Sequence, residues 1–260
     1  MIRILSILLL SFFITTSAFA KKEWQELKGD NFIIMYRLDV PQDFAQTVLG
    51  TAQDEFVRIS NNLGITRYQN WRFDKRATIV IYSDEEDYVK NGGQYGWSHG
   101  AALVREKIIR TYPQAHGFFD STLPHELGHI IFREIVGLYS VIPLWFEEGI
   151  AMNQEKAKRF GSDKQVRQYL EKGEFITLTD LSDMRLYSGT DEDKVHQFYA
   201  EAASSFSYLI NEFGEQKLHR LLKELKENTP FDTALSKVYM RIKSTQDLNK
   251  WWVNFLKGNE

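Results

Sequence analysis

The stretch His125-Glu126-Leu127-Gly128-His129 constrains this chain more than any other. Two histidines four apart point out of one face of a helix, one turn above the other, so both imidazoles can reach a single zinc ion. Glu126 is turned about 100° around the same helix. Its carboxylate then stands beside such an ion, where it can take a proton from water at the metal. Pro124 fits the first turn of a helix, where its missing N–H is not needed, and Asp120, Ser121 and Thr122 precede it as N-cap candidates. A helix is therefore expected to start at about residue 121 to 123.

A catalytic zinc normally takes three protein ligands and keeps a fourth position open, so a further ligand has to come from elsewhere in the chain. Downstream lies Pro143-Leu-Trp-Phe-Glu-Glu-Gly-Ile-Ala151, in which Pro143 suits a second helix start after the turn-like stretch from Gly137 to Ser140. Eighteen residues separate His129 from Glu148. In this combination of HExxH, spacing and the Trp145 to Ala151 string, the chain resembles the gluzincin zinc metallopeptidases of clan MA. Thermolysin-like and aminopeptidase-type enzymes belong to that group, and the likeness is to its small peptidase MA-like domains in particular. The resemblance implies that Glu148 is the third ligand, that the cofactor is one Zn2+ per chain, and that the two helices pack antiparallel. Glu147, turned about 100° from Glu148, is left to a supporting or solvent role.

The resemblance runs from about Asn31 to Leu256 and implies an α+β fold. A small twisted mixed sheet with packing helices forms an N-terminal lobe over about 31–120. A mainly helical lobe follows over about 121–260, with the zinc site in the cleft between them. The order of elements agrees. Asn31 to Arg37 and Ala77 to Tyr82 read as strands, separated by an amphipathic helix from Asp43 to about Asn62. A short helix through Tyr88 comes next, then a glycine-rich loop, then a strand from Lys107 to Tyr112. Residues 154–172 read as one charged outer helix, and 177–193 as a loop over the cleft. Tyr199 opens a periodic helix ending at Gly214, and three amphipathic segments complete the chain. His219 reads as a helix-surface side chain, and Trp251, Trp252 and Phe255 read as packing residues.

Composition closes off other chemistries. With no cysteine there is no disulfide framework, no thiolate nucleophile, no thiolate ligand and no lipid attachment through cysteine. A formal charge of −3, of mixed sign along the chain, leaves no nucleic-acid footprint. Met1 to Ala20 reads as a secretory signal. Arg3 is followed by an apolar run from Ile4 to Ile14 and by Ala18-Phe19-Ala20 as a cleavage site, so a mature periplasmic or secreted chain is expected to begin at Lys21 with no membrane span. An uncleaved anchor competes, although the run is short for a bilayer.

The resemblance also implies a peptide or protein substrate. Residues 98 to 104 would form an antiparallel edge strand, with Gly100, Ala101 and Ala102 pairing with extended peptide. An ordinary hairpin is the alternative, and His99 would sit at the cleft rim. Tyr199 matches a tyrosine that donates a hydrogen bond to the oxyanion in the resembling domains, and His196 is the thermolysin-like alternative. No equivalent of the aminopeptidase Gly-x-Met-Glu-Asn string occurs between Trp97 and Val104, which favours an endopeptidase. The competing reading is a catalytically inactive peptidase-like zinc domain that binds an envelope partner.

Overall fold

The computed structural model describes residues 24–65, 71–92, 101–156, 161–187 and 189–258. The Met1 to Ala20 segment, His99 and Gly100 lie outside them. Five strands make one mixed sheet: β1 (Trp24–Lys28), β2 (Phe32–Arg37), β3 (Ala77–Ile81), β4 (Ala101–Leu103) and β5 (Ile108–Thr111), in the order β1-β2-β3-β5-β4. The central pairs β2–β3 and β3–β5 are parallel, and the outer pairs β1–β2 and β4–β5 antiparallel. Parallel neighbours need a crossover, and α1 (Gln42–Asn62) supplies the one between β2 and β3. Strand alternation sends Phe32, Ile34, Ala77, Ile79, Ile81 and Ile109 to a fully buried face. Ala45, Val48, Ala52, Phe56 and Ile59 of α1 belong to the same core.

The remainder is mostly helical: α2 (Glu85–Gly92), α3 (Leu123–Val136), α4 (Leu144–Gln154), α5 (Ser162–Lys172), α6 (Leu178–Asp183), α7 (Glu192–Phe213), α8 (Glu215–Lys226), α9 (Phe231–Val238) and α10 (Thr245–Leu256). Among the described residues no helix is long and apolar enough to cross a membrane. α4 is buried nearly all round, as a helix enclosed by others must be. Trp145 and Phe146 are fully buried, and the Phe146 ring meets Phe206 of α7 at 5.6 Å and Phe231 of α9 at 5.0 Å.

Several elements differ from the sequence reading. β1 was not expected, because only Trp24 and Leu27 of its five residues are even half-buried; pairing with β2 makes it a strand, not its own pattern. The charged stretch 154–172 is not one helix, since α4 stops at Gln154 and α5 starts at Ser162. The expected loop 177–193 contains α6, capped by the Thr177 hydroxyl, which accepts from the Asp180 N–H at 3.2 Å. α7 starts at Glu192 and not at Tyr199: Asp191 caps it, and Glu192 and Asp193 suit the positive end of its dipole. His196 therefore lies inside the helix. Trp252 is fully buried, but Trp251 is 39% exposed. The His219 ring is not left on the surface: it bonds the Asn62 carbonyl at 2.9 Å.

Gly149 lets α7 approach α4. A Cβ there would lie 2.5 Å from Phe206 Cβ and 2.9 Å from the Ala202 carbonyl oxygen, so the helices would have to part. With two contacts under 3.0 Å, Gly149→Ala is expected to cost about 2–3 kcal/mol through overpacking, less ~1 kcal/mol of helix propensity, a net loss of about 1–2 kcal/mol. Thermal unfolding in the presence of a chelator checks this; an unchanged midpoint would contradict it.

Glu201, also on α7, is fully buried. One oxygen accepts from Ile176 N–H at 3.1 Å and Gln197 Nε2 at 3.0 Å, while Oε2 has no partner among the described residues. Burial, outweighing those two hydrogen bonds, pushes its carboxyl up to about 7. Between the ordinary 4.5 and about 7 the folded chain holds a proton that the unfolded chain has released. This contribution to stability is complete below the lower value and is lost as pH rises through the higher. Glu201→Gln should flatten that loss, on the order of 3 kcal/mol. Denaturant unfolding of parent and variant at pH 5 and pH 8 measures it, and parallel pH dependences would contradict it.

Candidate metal centre

α3 and α4 run antiparallel. At one end Lys156 N–H, just past α4, bonds the Asp120 carbonyl before α3 at 2.8 Å; at the other, Arg133 near the end of α3 pairs with Glu147 in the first turn of α4. Gly128 allows the middle of the pair to close, since a Cβ there would be 3.1 Å from Ala151 Cα. The expected N-cap bond before α3 is not made. Thr122 stands at the cap without one, and the Ser121 hydroxyl turns instead to Glu155 at 2.6 Å.

This packing brings His125, His129 and Glu148 together. The two Nε2 atoms are 3.1 Å apart, and Glu148 Oε2 is 3.5 Å from each. Tetrahedral bonds of about 2.0–2.2 Å give ligand–ligand edges of about 3.3–3.6 Å. The two edges to Glu148 fall in that range and the imidazole–imidazole edge is slightly shorter; three nitrogen and oxygen atoms so placed suit zinc, and Glu148 Oε2 is buried with no hydrogen-bond partner among the described residues. The residues present therefore fit one metal ion.

The outer nitrogens are occupied as well. His125 Nδ1 lies 2.9 Å from Glu155 Oε1, and His129 Nδ1 lies 3.5 Å from Glu147 Oε1. Arg133 donates to both oxygens of Glu147, through Nε at 2.8 Å and through a second, shorter bond. Burial disfavours a charge on His129, but Glu147 and Glu148 overcome it and push the imidazole up to about 10. His125 is also raised, Glu148 and Glu155 outweighing burial. Glu148 is held below the usual carboxylate range, because the two imidazoles outweigh its burial. Glu126 adds to the negative field at both rings. The site is built to hold positive charge.

The model of the peptidase MA superfamily matches residues 51–258. The chain belongs to the peptidase MA superfamily. No curated protein matches it. In this peptidase MA member the matched span takes in α3, α4 and α7, and with them every candidate metal ligand.

The other expected residues of this peptidase MA chain take varied places. Glu126 is half-buried on α3. Tyr199 is half-buried on α7, on the side that carries Ala202 and Phe206 toward Gly149, whereas His196 is exposed. Ala101 and Ala102 belong to β4, at the edge of the sheet and beside α3. Sequence reasoning missed Glu155, Ser121 and Arg133. Two had a signal in spacing: Arg133 is one turn beyond His129, and Glu155 is two turns beyond Glu148.

Proposed function

We propose that this chain is a zinc-dependent metallopeptidase, an endopeptidase of the cell envelope or exterior, that uses Glu126 as general base. The observation that carries the reading is the triangle of two imidazole nitrogens and one carboxylate oxygen with no hydrogen-bond partner among the described residues, with edges of 3.1, 3.5 and 3.5 Å. When bound, zinc polarises the scissile carbonyl and lowers the pKa of coordinated water from about 15.7 toward about 7. Glu126 takes the proton of the attacking water and passes it to the leaving amine. Glu147, Glu155 and Arg133 keep the imidazoles oriented. The outer edge of β4, at Ala101 and Ala102, carries no further strand among the described residues and pairs with extended substrate. Export follows from reading Met1 to Ala20 as a signal.

Tyr199 donates a hydrogen bond to the developing oxyanion, and its half-buried place on the α4-facing side of α7 supports it over exposed His196. Tyr199→Phe should lower turnover by about 10²- to 10³-fold with little change in KM. Full activity in Tyr199→Phe with a crippled His196→Ala would reassign the donor.

The test of the whole reading is a cleavage profile of the zinc-loaded protein on a library of protein-derived peptides. Cleavage at internal bonds, absent in Glu126→Gln, is expected. Trimming from one terminus would overturn the endopeptidase assignment. No cleavage by a zinc-loaded chain would make it a zinc-holding binding domain.

A further inference from the structure

Glu155 stands one residue past α4 and is only 6% exposed. A carboxylate buried to that extent needs partners for its oxygens. It has two among the described residues, one for each oxygen: Oε1 lies 2.9 Å from His125 Nδ1, and Oε2 accepts from the Ser121 hydroxyl at 2.6 Å. Ser121 is itself fixed. It belongs to a π-helical turn, Phe118–Thr122, and its N–H bonds the Gly117 carbonyl at 2.9 Å. The neighbouring residues are joined by the Lys156 N–H to Asp120 carbonyl bond, and the Lys156 ammonium is held by buried Glu55 at 2.8 Å. The chain leaving α4 is thus fastened to the chain approaching α3.

With Nδ1–H donated to Glu155, the lone pair of His125 lies on Nε2, inside the ligand triangle. Glu147 has a looser hold on the other ring: its 3.5 Å approach to His129 Nδ1 is long for a hydrogen bond, and both its oxygens are engaged by Arg133. We propose that Glu155, held in place by Ser121, is the positioning residue that fixes the tautomer and ring orientation of His125 and thereby sets zinc affinity. This rests on reading the His125, His129 and Glu148 triangle as a zinc site.

The experiment is chelator competition for zinc by the full chain and by Glu155→Ala, Glu155→Gln and Ser121→Ala. Circular dichroism melting in chelator monitors the fold, and the absorption spectrum of the cobalt(II)-loaded forms monitors ligand geometry. The parent should bind one zinc. Glu155→Ala should bind it about 10- to 100-fold more weakly with an altered cobalt spectrum. Glu155→Gln, which keeps an acceptor for Nδ1–H, should recover most of the loss, and Ser121→Ala should fall between them. Parent-like zinc affinity in both Glu155→Ala and Ser121→Ala overturns the proposal. Equal losses in Glu155→Ala and Glu155→Gln that follow the melting midpoint also overturn it, since the carboxylate would then be a structural prop. A parent that takes up no zinc overturns the zinc reading itself, and is seen before any variant is compared.

Discussion

Glu126→Gln is expected to retain one zinc per chain while peptide hydrolysis falls by about 10²- to 10⁴-fold, the range for loss of a general base. The substitution keeps the shape of the side chain and removes its ability to accept a proton. Metal binding should survive, because Glu126 contributes no atom to the triangle formed by His125, His129 and Glu148. The loss should fall on kcat and kcat/KM together, as for an interaction made only in the transition state. Metal analysis and steady-state kinetics on the same preparation check both halves. Undiminished hydrolysis would remove Glu126 from the mechanism, and loss of zinc along with activity would move it into the metal site.

Glu148→Ala has the larger effect on the metal. It deletes the one anionic ligand and leaves two imidazole nitrogens 3.1 Å apart with nothing to hold the third corner. Zinc affinity should fall well beyond the about 10- to 100-fold that loss of an outer partner costs, and hydrolysis should disappear with it. Glu147→Ala is the comparison: it removes the neighbouring glutamate, which faces His129 Nδ1 and Arg133. Its loss should weaken zinc without abolishing it. Chelator competition on the two variants measures the difference, and the reverse order would exchange the roles of the two glutamates.

The centre of this site was legible because it is local. His125, Glu126 and His129 are placed by the helical repeat alone, and Pro124 and Pro143 mark where α3 and α4 begin. Glu148 needed the resemblance, since nothing in one helix says what another brings to it. The parts that could not be read depend on tertiary approach. Ser121 looks like a helix cap, a role in which its oxygen would accept from a backbone N–H, until the end of α4 arrives and its hydroxyl donates to Glu155. Glu155 looks like surface charge until Asp120 and Lys156 close the two ends together. β1 has too little apolar character to announce itself, and β2 supplies its pairing. The acidic start of α7 reads as loop because Asp191, Glu192 and Asp193 bury nothing; capping and the helix dipole extend the helix through them.

Anomalous diffraction at the zinc edge, on crystals of the full chain grown with zinc, shows whether His125, His129 and Glu148 hold the metal. One strong peak is expected at about 2.0–2.2 Å from His125 Nε2, His129 Nε2 and a Glu148 oxygen, with a fourth position left to solvent. Absence of a peak between α3 and α4, or a metal there with Glu148 turned away from it, would rule out His125, His129 and Glu148 as the zinc ligands.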